Sequence, residues 1–165
     1  MKTDLRIDNA KKKDLNRIVE IYYWAIENTA ATFDTEIKTV QSQLDWFESH
    51  DEEHSVIVAR ENGRVLAWGS ISRWSERCAY SGTGEISLYV NPDFHSKGIG
   101  FNFLKRLVKI CKEKNFRTLV SRIAGKSEAS IHIHKKLGFS NIGTMKNVGK
   151  KFGKVIDVHL IQILF

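Results

Sequence analysis

The sequence predicts an α/β (α+β) fold, one domain over residues 1–165, with a mixed β-sheet of about seven strands flanked by about four helices. Two patterns and one absence lead there. Asn62-Gly63 joins two apolar-rich runs, and both positions of a tight hairpin turn need positive φ, so these strands pair antiparallel. Further on, a strand, a long amphipathic helix and a short strand follow one another, an order that permits parallel pairing. No low-complexity segment, internal repeat or linker interrupts the chain, and Pro92 is its only proline.

Taken in order, Leu5 to Asn9 reads as a first strand. Leu15, Ile18, Val19, Tyr22 and Ile26 recur at helical spacing and share one face. Asp14 favours the start of that helix, where negative charge is stabilised. Thr39 caps a second helix through about Ser49, with Val40, Leu44 and Phe47 directed inward. Ser55 to Glu61 and Arg64 to Ser72 form the hairpin, and Thr83 to Val90 a further strand. After Asn91-Pro92-Asp93 comes a glycine-containing loop, then a helix with Ile99, Phe103, Leu104, Leu107, Val108 and Cys111 on one face. Leu119 to Ile123 is a short strand. Glu128 to Leu137 is a helix stopped by Gly138. Ile142 to Met145 and Val155 to Phe165 complete the sheet. The lysine-rich stretch from Lys146 to Lys154 reads as a mobile loop near the site or a partner subunit.

The 165 residues are 42% hydrophobic and 27% charged, which are globular proportions. Mean hydropathy is -0.31. Apolar runs such as Val56-Ile57-Val58-Ala59 fall far short of the roughly 20 residues a membrane span needs. The segment MKTDLRIDNAKKK holds no signal-peptide core, so the cytoplasm is the expected location. Cys78 and Cys111 form neither a CxxC pair nor a metal set and are expected as free thiols. The net charge of +7, from 26 basic and 19 acidic residues, favours an anionic partner, either nucleic acid or a phosphorylated cofactor. No helix-turn-helix, zinc-finger or RNP pattern accompanies the Lys11-Lys12-Lys13 cluster, so nucleic acid is not the expected partner.

The most informative stretch is Glu85 to Leu107. The strand end Leu88-Tyr89-Val90 feeds the loop His95-Ser96-Lys97-Gly98-Ile99-Gly100, which opens onto the long helix. Free N–H groups and the dipole at a helix N-terminus make an anion site. Gly98 and Gly100 let backbone approach a phosphate, and Lys97 adds positive charge. The same residues also suit a tight strand-to-helix turn without a ligand. A dinucleotide fingerprint fails, because Phe-Asn-Phe follows Gly100. Gly143 to Lys150 has the wrong spacing for a phosphate-binding P-loop.

Glu85-Ile-Ser-Leu-Tyr-Val90, His95-Ser-Lys-Gly-Ile-Gly100 and Ala129-Ser-Ile-His-Ile-His-Lys-Lys-Leu-Gly-Phe139 together resemble the GNAT acetyltransferase superfamily. Within it, the chain is similar to the phosphinothricin and methionine sulfoximine acetyltransferase group. Ala31-Thr32-Phe33, Arg77-Cys-Ala-Tyr80 and Gly149-Lys-Lys-Phe-Gly153 with Asp157 extend the match from about residue 5 to the C-terminus. The resemblance implies a splayed sheet that binds acetyl-CoA between two strands. Main-chain groups of the Leu88-Tyr89-Val90 segment would meet pantetheine, and those of Ser96 to Phe101 the diphosphate. Two positions depart from the pattern. His95 stands where Gln or Arg is common, and Ser127, also at the cofactor, where Asn is common.

Amine acetylation needs a neutral amine, a donor for the oxyanion and a proton for the leaving thiolate. The resemblance makes Glu85 the catalytic base, acting through a water. An ordinary strand glutamate is the plainer alternative. By the same resemblance His134 sits where many members carry a tyrosine near the thiol, and an imidazole there can protonate the thiolate. The alternative is a packed helix histidine. His132 and His134 point roughly 200° apart on a helix, and no other ligand spacing occurs, so no metal is expected. The oxyanion donor would be a backbone N–H in the strand ending at Val90. Arg73 and Arg77 can fork onto a substrate carboxylate, with Phe33, Trp74 and Tyr80 walling the pocket. The expected function is therefore N-acetylation of a small amino-acid-like primary amine by a homodimer. Acetylation of polyamines or protein N-termini is the alternative, and a non-catalytic coenzyme A-binding or nucleic-acid-binding module stands behind it.

Overall fold

The computed structural model describes residues 5–165. Its strands are β1 (Arg6–Asn9), β2 (Val56–Glu61), β3 (Arg64–Arg73), β4 (Thr83–Val90), β5 (Thr118–Ala124), β6 (Ser140–Lys151) and β7 (Lys154–Leu164). Its helices are α1 (Leu15–Asn28), α2 (Val40–Glu48), α3 (Ile99–Glu113) and α4 (Glu128–Lys136). The strands form one sheet in the order β1-β2-β3-β4-β5-β7-β6. Only β4 and β5 pair in parallel. Every other neighbour is antiparallel.

The Asn62-Gly63 turn has φ of 50° and 79°, as the hairpin argument requires. The α3 stripe is buried as its spacing predicts, with Phe103, Leu104, Leu107 and Cys111 fully enclosed against Ile71, Ile86 and Leu119 of the sheet. Each large apolar side chain so enclosed contributes about 1.5–3 kcal/mol. On the opposite face, Ile18 and Ile21 of α1 pack with Val56, Val58 and Trp68. Thr39 Oγ1 accepts from Ser42 N at 3.1 Å and caps α2. Gln43 is buried and Trp46 and Phe47 pack inward, so Val40, at the open start of α2, meets solvent instead of the core.

The largest departure is at the sheet edge. The stretch from Lys146 to Lys154 is not a loop: it is the tip of the β6–β7 hairpin. The pairing bulges between Met145 and Gly149. There Asn147 takes φ of 56° and its N–H donates to Asp157 Oδ1 at 2.8 Å. Phe152 and Gly153 turn the chain with φ of 51° and 70°. Both cysteines are free, Cys78 exposed and Cys111 buried. No helix among the described residues is long and apolar enough to cross a membrane.

Candidate active site

The site begins where the sheet forks. β4 and β5 pair only from Thr83 to Glu85 against Thr118 to Val120, and beyond that they separate. Asn91 N donates to Leu66 O of β3 at 2.8 Å. By the alternation of a strand, Asn91 and Tyr89 turn their peptide groups to β3, and Leu88 and Val90 turn theirs into the fork. The fork opens into a cleft of about 420 Å³ lined by Trp24, Leu88, Val90, Gly98, Phe101 and Ile133. It adjoins a smaller pocket of about 100 Å³ that holds Glu85, Arg122 and His134. Ala31, Leu88, Tyr89, Ser127 and Ser130 border both.

At the wide end, Gly98 is the N-cap of α3 with φ of 77°. Ser96 also takes a positive φ, 61°. The first hydrogen bond of the helix is Asn102 N to Gly98 O, so the N–H groups of Ile99, Gly100 and Phe101 have no intrahelical acceptor. A Cβ on Gly98 would meet nothing within 4 Å, so what glycine supplies here is its φ rather than space within the protein. These unpaired amides at a helix N-terminus, facing a cleft, suit a diphosphate. Lys97 Nζ is 2.9 Å from Asp93 O and 4.7 Å above the Phe94 ring, within the loop itself. His95 Nε2 donates to Val90 O at 2.9 Å, so the imidazole covers one of the two open peptide groups of the fork. Ser127 is the N-cap of α4 and forms no side-chain capping bond.

At the narrow end, Glu85 is the last residue of the β4–β5 ladder, with its side chain 20% exposed. Burial pushes its carboxyl above the ordinary value, against the opposing pull of Arg122. Arg122 Nε lies 3.3 Å from Glu85 Oε1, and its guanidinium carbon is 4.9 Å above the Trp74 ring. His134 is buried, and burial lowers its pKa. Its Nδ1 lies 2.7 Å from Ser130 O. A carbonyl only accepts, so Nδ1 carries the proton, and Nε2 of the neutral ring is an acceptor with no proton to give. Tyr89 stacks on Trp68 at 4.8 Å, and burial raises its phenol to about 12.

The residues expected to hold the acceptor are scattered. Arg73 stands opposite Gly84, on the α3 side of the sheet, and its Nη2 pairs with Asp51 Oδ2 at 3.2 Å. Arg77 and Tyr80 are exposed in the turn before β4. Phe33 lies against Gly149 of β6, where a Cβ would fall 2.3 Å from its ring, and it does not line the pocket with Glu85. The guanidinium beside Glu85 belongs to Arg122, which the sequence reading overlooked. The signal is faint: with Glu85 opposite Val120, residue 122 falls on the Glu85 face, but only the strand register reveals it. Among the described residues no group of three or more His, Cys, Asp or Glu side chains is placed to hold a metal.

An amide cradle at one end of a forked sheet and a part-buried carboxylate at the other suit a transferase that takes its group from a phosphorylated carrier. A family model described as an acetyltransferase (GNAT) domain matches residues 7–160, and the chain belongs to that family. It is 34% identical over 155 residues to the L-amino acid N-acyltransferase MnaT of Escherichia coli, covering 93% of this chain and 90% of the relative. It is 33% identical to an L-methionine sulfoximine/L-methionine sulfone acetyltransferase of Salmonella typhimurium, covering 93% and 91%. The crystal structure of a phosphinothricin acetyltransferase from Sinorhizobium meliloti in complex with AcCoA superposes with a TM-score of 0.93 at 32% identity, covering 100% of this chain and 89% of that one.

Proposed function

We propose that this enzyme, an acetyl-CoA-dependent N-acetyltransferase, acetylates the primary amine of an amino-acid-like acceptor such as methionine sulfone, methionine sulfoximine or phosphinothricin, with Glu85 as general base. The names of the relatives support the acceptor class. The observation that carries the role of Glu85 is its position: a part-buried carboxylate at the point where the fork begins, with the amide cradle at the other end. Leu88 and Val90 would hold pantetheine through their open peptide groups, with His95 moving off Val90 O as the arm enters. The N–H groups of residues 99–101 would take the diphosphate.

Glu85 takes a proton from the acceptor ammonium, directly or through one water. The freed amine attacks the thioester carbonyl, the N–C bond forms and a strand N–H near Val90 supports the oxyanion. The C–S bond then breaks, and the sulfur leaves with a proton. His134 becomes a donor to that sulfur only after its Nε2 has received a proton, so it works as a relay rather than a standing acid. A homodimer is proposed through the β6–β7 edge, where Ile142, Met145, Val148, Phe152 and Val155 stand exposed.

The test is Glu85→Gln. Acetyl-CoA affinity by calorimetry stays within about twofold, and kcat falls roughly 10²- to 10⁴-fold in a thiol-release assay. The wild-type kcat/KM has an acid limb above the ordinary carboxylate value of 4.5, because burial raises Glu85 and its protonated form is inactive. Equal turnover in the two proteins removes Glu85 as the base.

A further inference from the structure

Arg73 is taken by Asp51, yet the pocket around Glu85 contains a guanidinium, that of Arg122. Its Nε faces Glu85, its guanidinium carbon lies 4.9 Å above the Trp74 ring, and about half of its side chain is exposed. Its terminal nitrogens have no partner among the described residues. The guanidinium cannot lose its proton, and its contact with Trp74 helps to hold it beside Glu85 with its remaining donors unused.

Glu85 and Arg122 thus form a carboxylate and a cation side by side, 3.3 Å apart, both bordering one small pocket. An α-amino acid carries the same two charges one carbon apart, in the opposite sense. Laid against the pair, its ammonium meets the Glu85 carboxylate and its carboxylate meets the free Nη groups of Arg122. An amine without a carboxylate matches only half of the pair. A carboxylate without an amine meets Glu85 as a like charge.

We infer that Arg122 is the residue that receives the acceptor's carboxylate, so that the Glu85–Arg122 pair selects α-amino acids over simple amines by binding the zwitterion at both ends. This rests on the proposed acceptor class and on Glu85 facing the acceptor amine. Tyr89 and His134 also border Glu85, but burial holds the phenol protonated and the imidazole neutral, so Arg122 is the cation there.

The experiment compares L-methionine sulfone with the amine obtained from it by decarboxylation, and reads the ratio of their kcat/KM values. Because a ratio is read, any effect of Arg122 that passes only through Glu85 cancels. Arg122→Gln lowers the acid-to-amine ratio roughly 10- to 100-fold, the loss of a charge-assisted contact. Arg122→Lys, which keeps the charge and loses the fork, falls between. Unchanged acetyl-CoA affinity by calorimetry shows that each variant is folded, and Arg122→Lys serves where Arg122→Gln is not. Glu85→Gln slows both substrates and leaves the ratio near wild type, so the base role can fail while the anchor stands, and the reverse. A ratio that Arg122→Gln does not change, or a wild-type ratio near one, overturns the inference. So does acetylation of the amine with no turnover of the sulfone.

Discussion

Gly98 offers a prediction in which two explanations of one glycine can be separated. The residue caps α3 at φ of 77° and ψ of -1°, a left-handed conformation. A side chain there pays roughly 1–2 kcal/mol of backbone strain. A Cβ meets no protein atom within 4 Å, so there is no steric contribution from the protein itself. If the empty loop relaxes and the bound loop cannot, Gly98→Ala loses that energy on binding, which is about a 5- to 30-fold weaker affinity for acetyl-CoA. Asn tolerates the left-handed region better than Ala, because its short polar side chain bonds locally. Backbone strain therefore predicts that Gly98→Asn binds more tightly than Gly98→Ala. Crowding of the phosphate by the new side chain predicts the reverse, since Asn is larger. Calorimetry with acetyl-CoA on the two variants ranks them. Asn weaker than Ala refutes strain as the reason for this glycine, and wild-type affinity in both refutes its role in the cradle.

Arg60→Met should cost about 3 kcal/mol at neutral pH, because Arg60 donates to both carboxylate oxygens of buried Asp14, at 3.1 and 3.0 Å. Burial raises Asp14, but the bonds from Arg60 and from Lys11 N outweigh it and leave its pKa below 3.8. The stability it contributes is present above 3.8 and is lost as pH falls through the depressed value. Urea melts should therefore show the gap between the two proteins closing in acid, and a gap that stays constant with pH excludes the ion pair as its source. Val148→Asp on the sheet edge should turn a dimer into a monomer in sedimentation equilibrium; a monomeric wild type removes the proposed interface.

What the sequence could disclose followed from whether one residue's environment is set by its near neighbours. Thr83 to Val90 was bounded correctly, and the α3 stripe and the Gly98 turn were legible, because periodicity and glycine chemistry are local. The sequence marks only four residues of β6, Ile142 to Met145, because most of its side chains are exposed and no alternation outlines the rest. Its pairing comes from β7. Arg73 and Arg77 suggest themselves for the acceptor carboxylate because both precede Tyr80, yet Arg73 points to the other face of the sheet and Arg77 is exposed in the turn before β4. Arg122, 37 residues from Glu85, reaches it only through the parallel register, which no short window of sequence contains.

That register also explains why Glu85 and the open peptide groups of the fork lie together. A parallel pair needs each strand's peptide groups to match the neighbour's, and β4 finds partners on β5 only as far as Glu85. Beyond it, Leu88 and Val90 keep the same orientation without a strand to meet. In the proposed complex these peptide groups, once His95 has moved off Val90 O, would pair with the ligand in place of the missing strand. The carboxylate at the last paired position is the one side chain that is both fixed by the ladder and bordered by the opening. Residue 87, two places on, is held by β3 alone and has no neighbour on the β5 side. Residue 83, two places earlier, is paired with Thr118 of β5 but does not line the pocket. Within this sheet, position 85 is where rigidity and access coincide.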